Sequence, residues 1–124
     1  MNQIALITGA IFGILAIILG AFGAHAFKKV LSDERLSSFE VAVQYQMYAA
    51  LYLLIIGFNF DFVESYQDWI VKAMLWGTIL FSGSIYLLSF QDVWKVKLKF
   101  LGPITPLGGF FMIISWVVLL VSYI

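Results

Sequence analysis

Four long stretches of the chain carry no charged residue, and the charges between them fall in only three places, 28–40, 61–72 and 92–99. The uncharged runs are Ile4–Phe27, Val41–Phe60, Ala73–Phe90 and Phe100–Ile124. A helix needs about 20 mostly apolar residues to cross about 30 Å of hydrocarbon, so each run has the length of one crossing. Apolar and polar residues do not alternate with period two, which argues against a membrane β-barrel. Unpaired backbone groups are too costly in lipid for open strands, so the runs are expected to be helices. The pattern predicts an all-α integral membrane four-helix bundle with up-down topology. Residues 1–124 form a single transmembrane domain, with spans at approximately 4–27, 39–60, 69–90 and 104–124. The basic loops are then 28–38 and 91–103, and the acidic loop is 61–68.

Composition supports this division. Hydrophobic residues make up 63% of the 124 residues, charged residues only 11%, and the mean hydropathy is +1.01. A soluble domain has about 25% charged residues. Seven basic residues balance seven acidic ones, so no basic face exists for nucleic acid. No cysteine is present and there is one histidine, His25. Thiolate chemistry, a multi-His zinc site and paired-His haem ligation within one chain are therefore excluded. Neither a metal nor another cofactor is expected.

The charges also suggest an orientation. Lys28, Lys29 and Arg35 lie in the first loop and Lys95, Lys97 and Lys99 in the third, whereas the second loop has three acids and no base. The positive-inside rule puts the first and third loops in the cytoplasm and both termini outside. "GAHA" (Gly23–Ala26) has a small-x-small form that suits a cleavage site. However, "MNQIALITGA" lacks the basic start of a leader, and the apolar run exceeds a leader's about 7–15 residues. A retained helix is the expectation.

Small residues suggest where helices meet. Gly9, Gly13, Ala16, Gly20, Gly23 and Ala24 lie within an arc of about 100° on a helix. Such a stripe lets helix backbones approach closely. Packing within the chain is the favoured partner for it and a dimer interface the alternative. Gly83, between two serines in the third span, is expected to admit a neighbouring helix. "LSDERL" (Leu31–Leu36) reads as a helix start with Ser32 as cap, and "SSFE" (Ser37–Glu40) as a second start signal with a capping box; a helix starting at Ser32 and bending near Ser37 is favoured. Thr105 is expected to cap the last helix, with Pro106 in its first turn.

Polar residues collect towards the cytoplasmic end of this arrangement. His25 closes the first span. Glu40, Gln44 and Tyr48 repeat at i, i+4 and i+8 on one helix face, with Gln46 beside them. Ser82 and Ser84 lie in the same half of the third span, and Thr105 opens the fourth. Buried in lipid, such groups need partners. Hydrogen bonds between helices, or a polar pocket, would provide them, while the outer halves read as plain apolar sequence.

The blocks "GAFGAH" (Gly20–His25), "YQMY" (Tyr45–Tyr48), "LFSGSIY" (Leu80–Tyr86) and "ITPLGG" (Ile104–Gly109) resemble, in order and spacing, the YgdD/YwdK-like family of small bacterial membrane proteins. The resemblance covers nearly the whole chain and implies a four-span plasma-membrane protein without an established molecular function. Many members carry a His directly after the "YQMY" block. Ala49 stands there in this chain, so a mechanism requiring two histidines is in doubt.

Three functional classes follow. A small integral membrane protein with a structural or partner-binding role, not an enzyme, fits best; its partners would be the bilayer and a second copy or another membrane protein. The alternative is a small-molecule or ion carrier using a polar pocket at the cytoplasmic end. An enzyme acting on a lipid or quinone, with His25 as base and Glu40 orienting it, lacks an evident nucleophile.

Overall fold

A computed structural model describes residues 2–61 and 64–124. Five α-helices are found there: α1 (Gln3–His25), α2 (Asp33–Asn59), α3 (Ser65–Ser89), the short α4 (Gln91–Trp94) and α5 (Ile104–Val121). Single 3-10 turns, Phe27–Lys29 and Lys99–Leu101, lead into α2 and α5. The helices α1, α2, α3 and α5, the last extended by its 3-10 turn, are long and apolar enough to cross a membrane. The chain is an all-α membrane bundle.

Local chemistry sets the helix ends. Asn2 caps α1 by accepting the Ala5 amide at 3.0 Å. Ser32 caps α2 by accepting the Arg35 amide at 3.2 Å, with Asp33 and Glu34 favoured in the first turn by the helix dipole. The helix starts at Ser32, the favoured of the two signals, and not at Ser37. Ser37–Glu40 lies inside a continuous α2, so Glu40 is not a cap residue and is exposed. Thr105 is also not a cap: α5 begins one residue earlier, after Pro103, whose φ of −68° already suits a helix. Pro106 then sits in the first turn, where its missing amide proton leaves no bond unmade. The turn after α4 uses Lys95 in the left-handed region at φ 56°.

α2 and α3 form the centre. α1 packs along α2, and α5 along α3. Of the membrane-length windows, 44% of α2 and 39% of α3 is buried, against 22% of α1 and 17% of α5. The flanking helices therefore present most of their surface outward, as the exposed Ile4, Ile7, Ile14 and Ile17 of α1 and Phe110, Ile113 and Leu120 of α5 show. In water such a surface would be an aggregation hazard; in lipid it is a matched solvent. The common core joins Ala5 of α1, Leu53 and Ile56 of α2, Ile70 and Met74 of α3, and Met112 of α5.

Two glycine seams bring backbones together. On α1 the buried residues are Ala5, Gly9, Ala16 and Gly23. A Cβ on Gly9 would lie 2.9 Å from the Ala50 carbonyl oxygen, and one on Gly23 would lie 3.0 Å from the Phe39 ring. Gly13 and Gly20 face the same helix with more room, 3.9 Å to Ala50 Cβ and 3.4 Å to Val43 Cγ1. Ala24 is exposed, a departure from the expected stripe. The buried positions span an arc of about 40°, and Ala24 lies about 60° beyond Gly9 on the far side.

The second seam lies between α3 and α5. A Cβ on Gly77 would be 2.8 Å from the Gly108 carbonyl oxygen, and one on Gly108 would be 2.7 Å from that of Gly77. Gly83 was the expected contact on this span, yet a Cβ there would meet nothing within 4 Å. It lies about 120° round the helix from Gly77, away from the α5 seam.

Candidate functional site

The polar residues of the spans are distributed among separate contacts between helices. Gln46, 5% exposed, joins three of them: its Nε2 donates to the Phe12 carbonyl of α1 at 2.9 Å, and its Oε1 accepts from the Tyr86 hydroxyl of α3. Ser82 donates to the Ala42 carbonyl of α2 at 2.8 Å. Ser84 shares a short hydroxyl–hydroxyl hydrogen bond with Thr105 of α5. Each links neighbouring helices where lipid offers no competing partner, as buried polar groups require.

The other expected members are elsewhere. Gln44 and Tyr48 bond to one another along the exposed face of α2, and Glu40 is exposed one turn before them. The i, i+4, i+8 row is real, but it points out of the bundle. The reason is phase: Ala42, Gln46, Ala49 and Leu53 occupy the buried side of α2, and Gln44 lies about 160° from Gln46. His25 is the last residue of α1 and is exposed, and its side chain makes no hydrogen bond to another described residue. His25 and Glu40 therefore do not form a hydrogen-bonded pair. Among the described residues no three His, Asp or Glu side chains gather to hold a metal ion.

One brace lies in the half of the bundle that the sequence presents as plain apolar. Ser115 of α5 donates to the Ile70 carbonyl of α3 at 2.6 Å. Tyr52 of α2 reaches the same serine, with 2.9 Å between the hydroxyl oxygens. Both residues are buried, Ser115 completely. A lone Ser in "IISWVV" and a Tyr in "ALYLLI" are weak signals taken singly. Their shared depth becomes visible only when α2 and α5 are placed side by side. Tyr86 was likewise hidden, because its partner Gln46 is 40 residues away.

At the basic end, aromatic rings close the bundle. Phe27 meets Phe39 and Phe90 edge-on, with ring centroids 5.3 Å and 4.9 Å apart, and Phe39 packs on Tyr86 at 5.1 Å. Such geometry lets the positive edge of one ring meet the negative face of another. Arg35 Nε pairs with Asp92 Oδ2 at 3.1 Å, fastening the start of α2 to α4.

The cavities are mostly apolar. The middle one, about 510 Å³, lies between α2 and α5 over α3 and is lined by Val41, Tyr45, Tyr48, Met74, Phe81 and Trp116 among others. Of the expected polar residues only Tyr48 reaches it. Thr105 lines a hollow of about 410 Å³ nearer the basic end, with Arg35, Ser38 and Ser89. Ser84 and Gly83 line a shallow one on the opposite side, beside Leu101.

These features define a small polytopic membrane protein, built as a helical bundle around internal hydrogen bonds. The chain belongs to the family described as "Protein of unknown function (DUF423)", whose match covers residues 19–109. It is 38% identical over 120 residues to a "UPF0382 membrane protein" of Staphylococcus epidermidis, covering 97% of this chain and 94% of that one. It is 39% identical over 125 residues to the UPF0382 membrane protein YwdK of Bacillus subtilis, covering 97% and 95%. No solved structure gives a significant match.

Proposed function

We propose that this protein is a non-enzymatic scaffold of the bacterial plasma membrane, with both termini outside, that presents a rigid bundle to lipid or to a second membrane protein. The observation supporting this is the fate of the buried polar side chains. Gln46, Ser82, Ser84, Tyr52 and Ser115 bond across helix boundaries, Ser84 to the half-buried Thr105, while Thr78 and Ser89 bond back to carbonyls of their own helix, α3. A carrier would aim such groups at a common cavity, often with charges along the path. The basic ends of the loops supply the orientation, by the positive-inside rule.

Reconstitution tests the reading. Purified protein in sealed liposomes carrying a pH-sensitive or solute-reporting dye should give flux no greater than empty liposomes. Flux that depends on the protein and disappears in Gln46→Leu, with the bundle still folded by circular dichroism, would support the carrier instead.

A further inference from the structure

Three hollows follow one another between α2 and α5. The first, at the basic end, is lined by Arg35, Ser38, Ser89 and Thr105. It shares Val41 with the middle one, of about 510 Å³. The middle one shares Tyr48 and Trp116 with a third, of about 390 Å³, which continues past Leu51, Ile55 and Leu119. Together they make one groove along two helices that both lean on α3. Its polar groups are concentrated at the Arg35 end, and its walls are apolar and aromatic beyond Val41.

We infer that this groove binds one anionic phospholipid, with its phosphate at Arg35 and an acyl chain along Val41, Tyr45, Tyr48 and Trp116. The chemistry changes along the groove as it does along a lipid, from the Arg35 cation and the Ser38 hydroxyl, beside Ser89 and Thr105 whose hydroxyls already bond within the bundle, to hydrocarbon. Asp92 occupies only Nε of Arg35, and the two terminal nitrogens have no partner among the described residues. A guanidinium is suited to gripping phosphate oxygens through two donors at once. The surrounding segments add to the attraction: 28–40 and 92–99 hold six basic residues against four acids, Asp33, Glu34, Glu40 and Asp92.

Length agrees as well. Arg35 to Tyr48 covers about 20 Å of helix. One leaflet with its headgroups is half of about 40–45 Å. Charge favours an anionic lipid over an apolar helix of a second copy: among the residues lining the three hollows, the one charged side chain is the cation Arg35. The inference goes beyond the scaffold reading and does not depend on the internal hydrogen bonds.

The test uses the full chain in detergent micelles, with native mass spectrometry and thermal melting as readouts. The probes are phosphatidylglycerol, phosphatidylcholine with the same acyl chains, and inorganic phosphate. Phosphatidylglycerol should bind about five- to tenfold more tightly than phosphatidylcholine, the scale of one charge-assisted contact. Arg35→Gln should remove that preference, weakening phosphatidylglycerol more than phosphatidylcholine, whose phosphate is already partnered by its own choline cation. Val41→Trp, at a half-exposed position, should weaken both lipids while the lipid-free melting temperature stays put. Equal binding of the two lipids, unaltered by Arg35→Gln, would overturn the proposal. So would inorganic phosphate displacing phosphatidylglycerol at millimolar concentration, which marks a free-anion site. A dimer that Val41→Trp dissociates would assign the groove to a second copy.

Discussion

The Tyr86 hydroxyl donates to Gln46 Oε1 across the α2–α3 boundary, while the other end of the same amide donates to the Phe12 carbonyl of α1. One side chain thereby fixes the rotation of three helices. In a double-mutant cycle on detergent-solubilised protein, Gln46→Leu and Tyr86→Phe should couple by about 0.6 kcal/mol, and by no more than about 2 kcal/mol. Gln46→Leu should cost more than Tyr86→Phe, because it removes two bonds between helices where Tyr86→Phe removes one.

The glycine seam between α3 and α5 should be intolerant of bulk. Gly108→Ala would force a Cβ to within 2.7 Å of the Gly77 carbonyl oxygen, and backbone on both sides cannot yield as a flexible side chain could. A loss of about 1–3 kcal/mol is expected, the usual scale of overpacking. Gly83→Ala meets open space and should change stability by less than about 0.5 kcal/mol. Denaturation in a mixed-micelle titration would compare the two.

The ion pair at the basic end should matter little. Arg35 and Asp92 retain 34% and 71% side-chain exposure, so water and salt screen their attraction. Asp92→Asn is expected to cost less than about 1 kcal/mol, with the difference shrinking as ionic strength rises. Melting at low and high salt would check both the size and its direction.

Because the chain has no native cysteine, its orientation can be read from single introduced ones. With both termini outside, Glu64→Cys should react with a membrane-impermeant maleimide in intact cells, and Lys97→Cys only after permeabilisation. The reverse pattern would invert the topology.

Much of the fold was legible because lipid imposes simple rules. Charges could remain only at the ends of spans, so their positions at 28–40, 61–72 and 92–99 marked the four helices. The α1 stripe could be read because one helix face is a matter of 100° per residue. Which face of α2 turned inward was harder. Gln44 and Gln46 have the same chemistry two residues apart, and only the packing of α1 and α3 shows that Gln46 is inside. The Tyr52–Ser115–Ile70 contact was beyond reach for the same reason: its three parts come from three helices. Gly77 and Gly108 carried a signal as glycines within apolar helices, but not the pairing that makes them a seam.

These two glutamines offer the sharpest comparison. Unfolding in detergent micelles should be measured side by side for Gln46→Leu and Gln44→Leu, which remove the same amide from opposite faces of α2. Internal bracing predicts that Gln46→Leu lowers stability by about 1–3 kcal/mol through its lost and orphaned partners. Gln44→Leu, which loses only a hydrogen bond to exposed Tyr48, should stay within about 0.5 kcal/mol of the parent. If Gln44→Leu proves as damaging as Gln46→Leu, or Gln46→Leu proves harmless, the polar side chains inside the bundle do not hold it together.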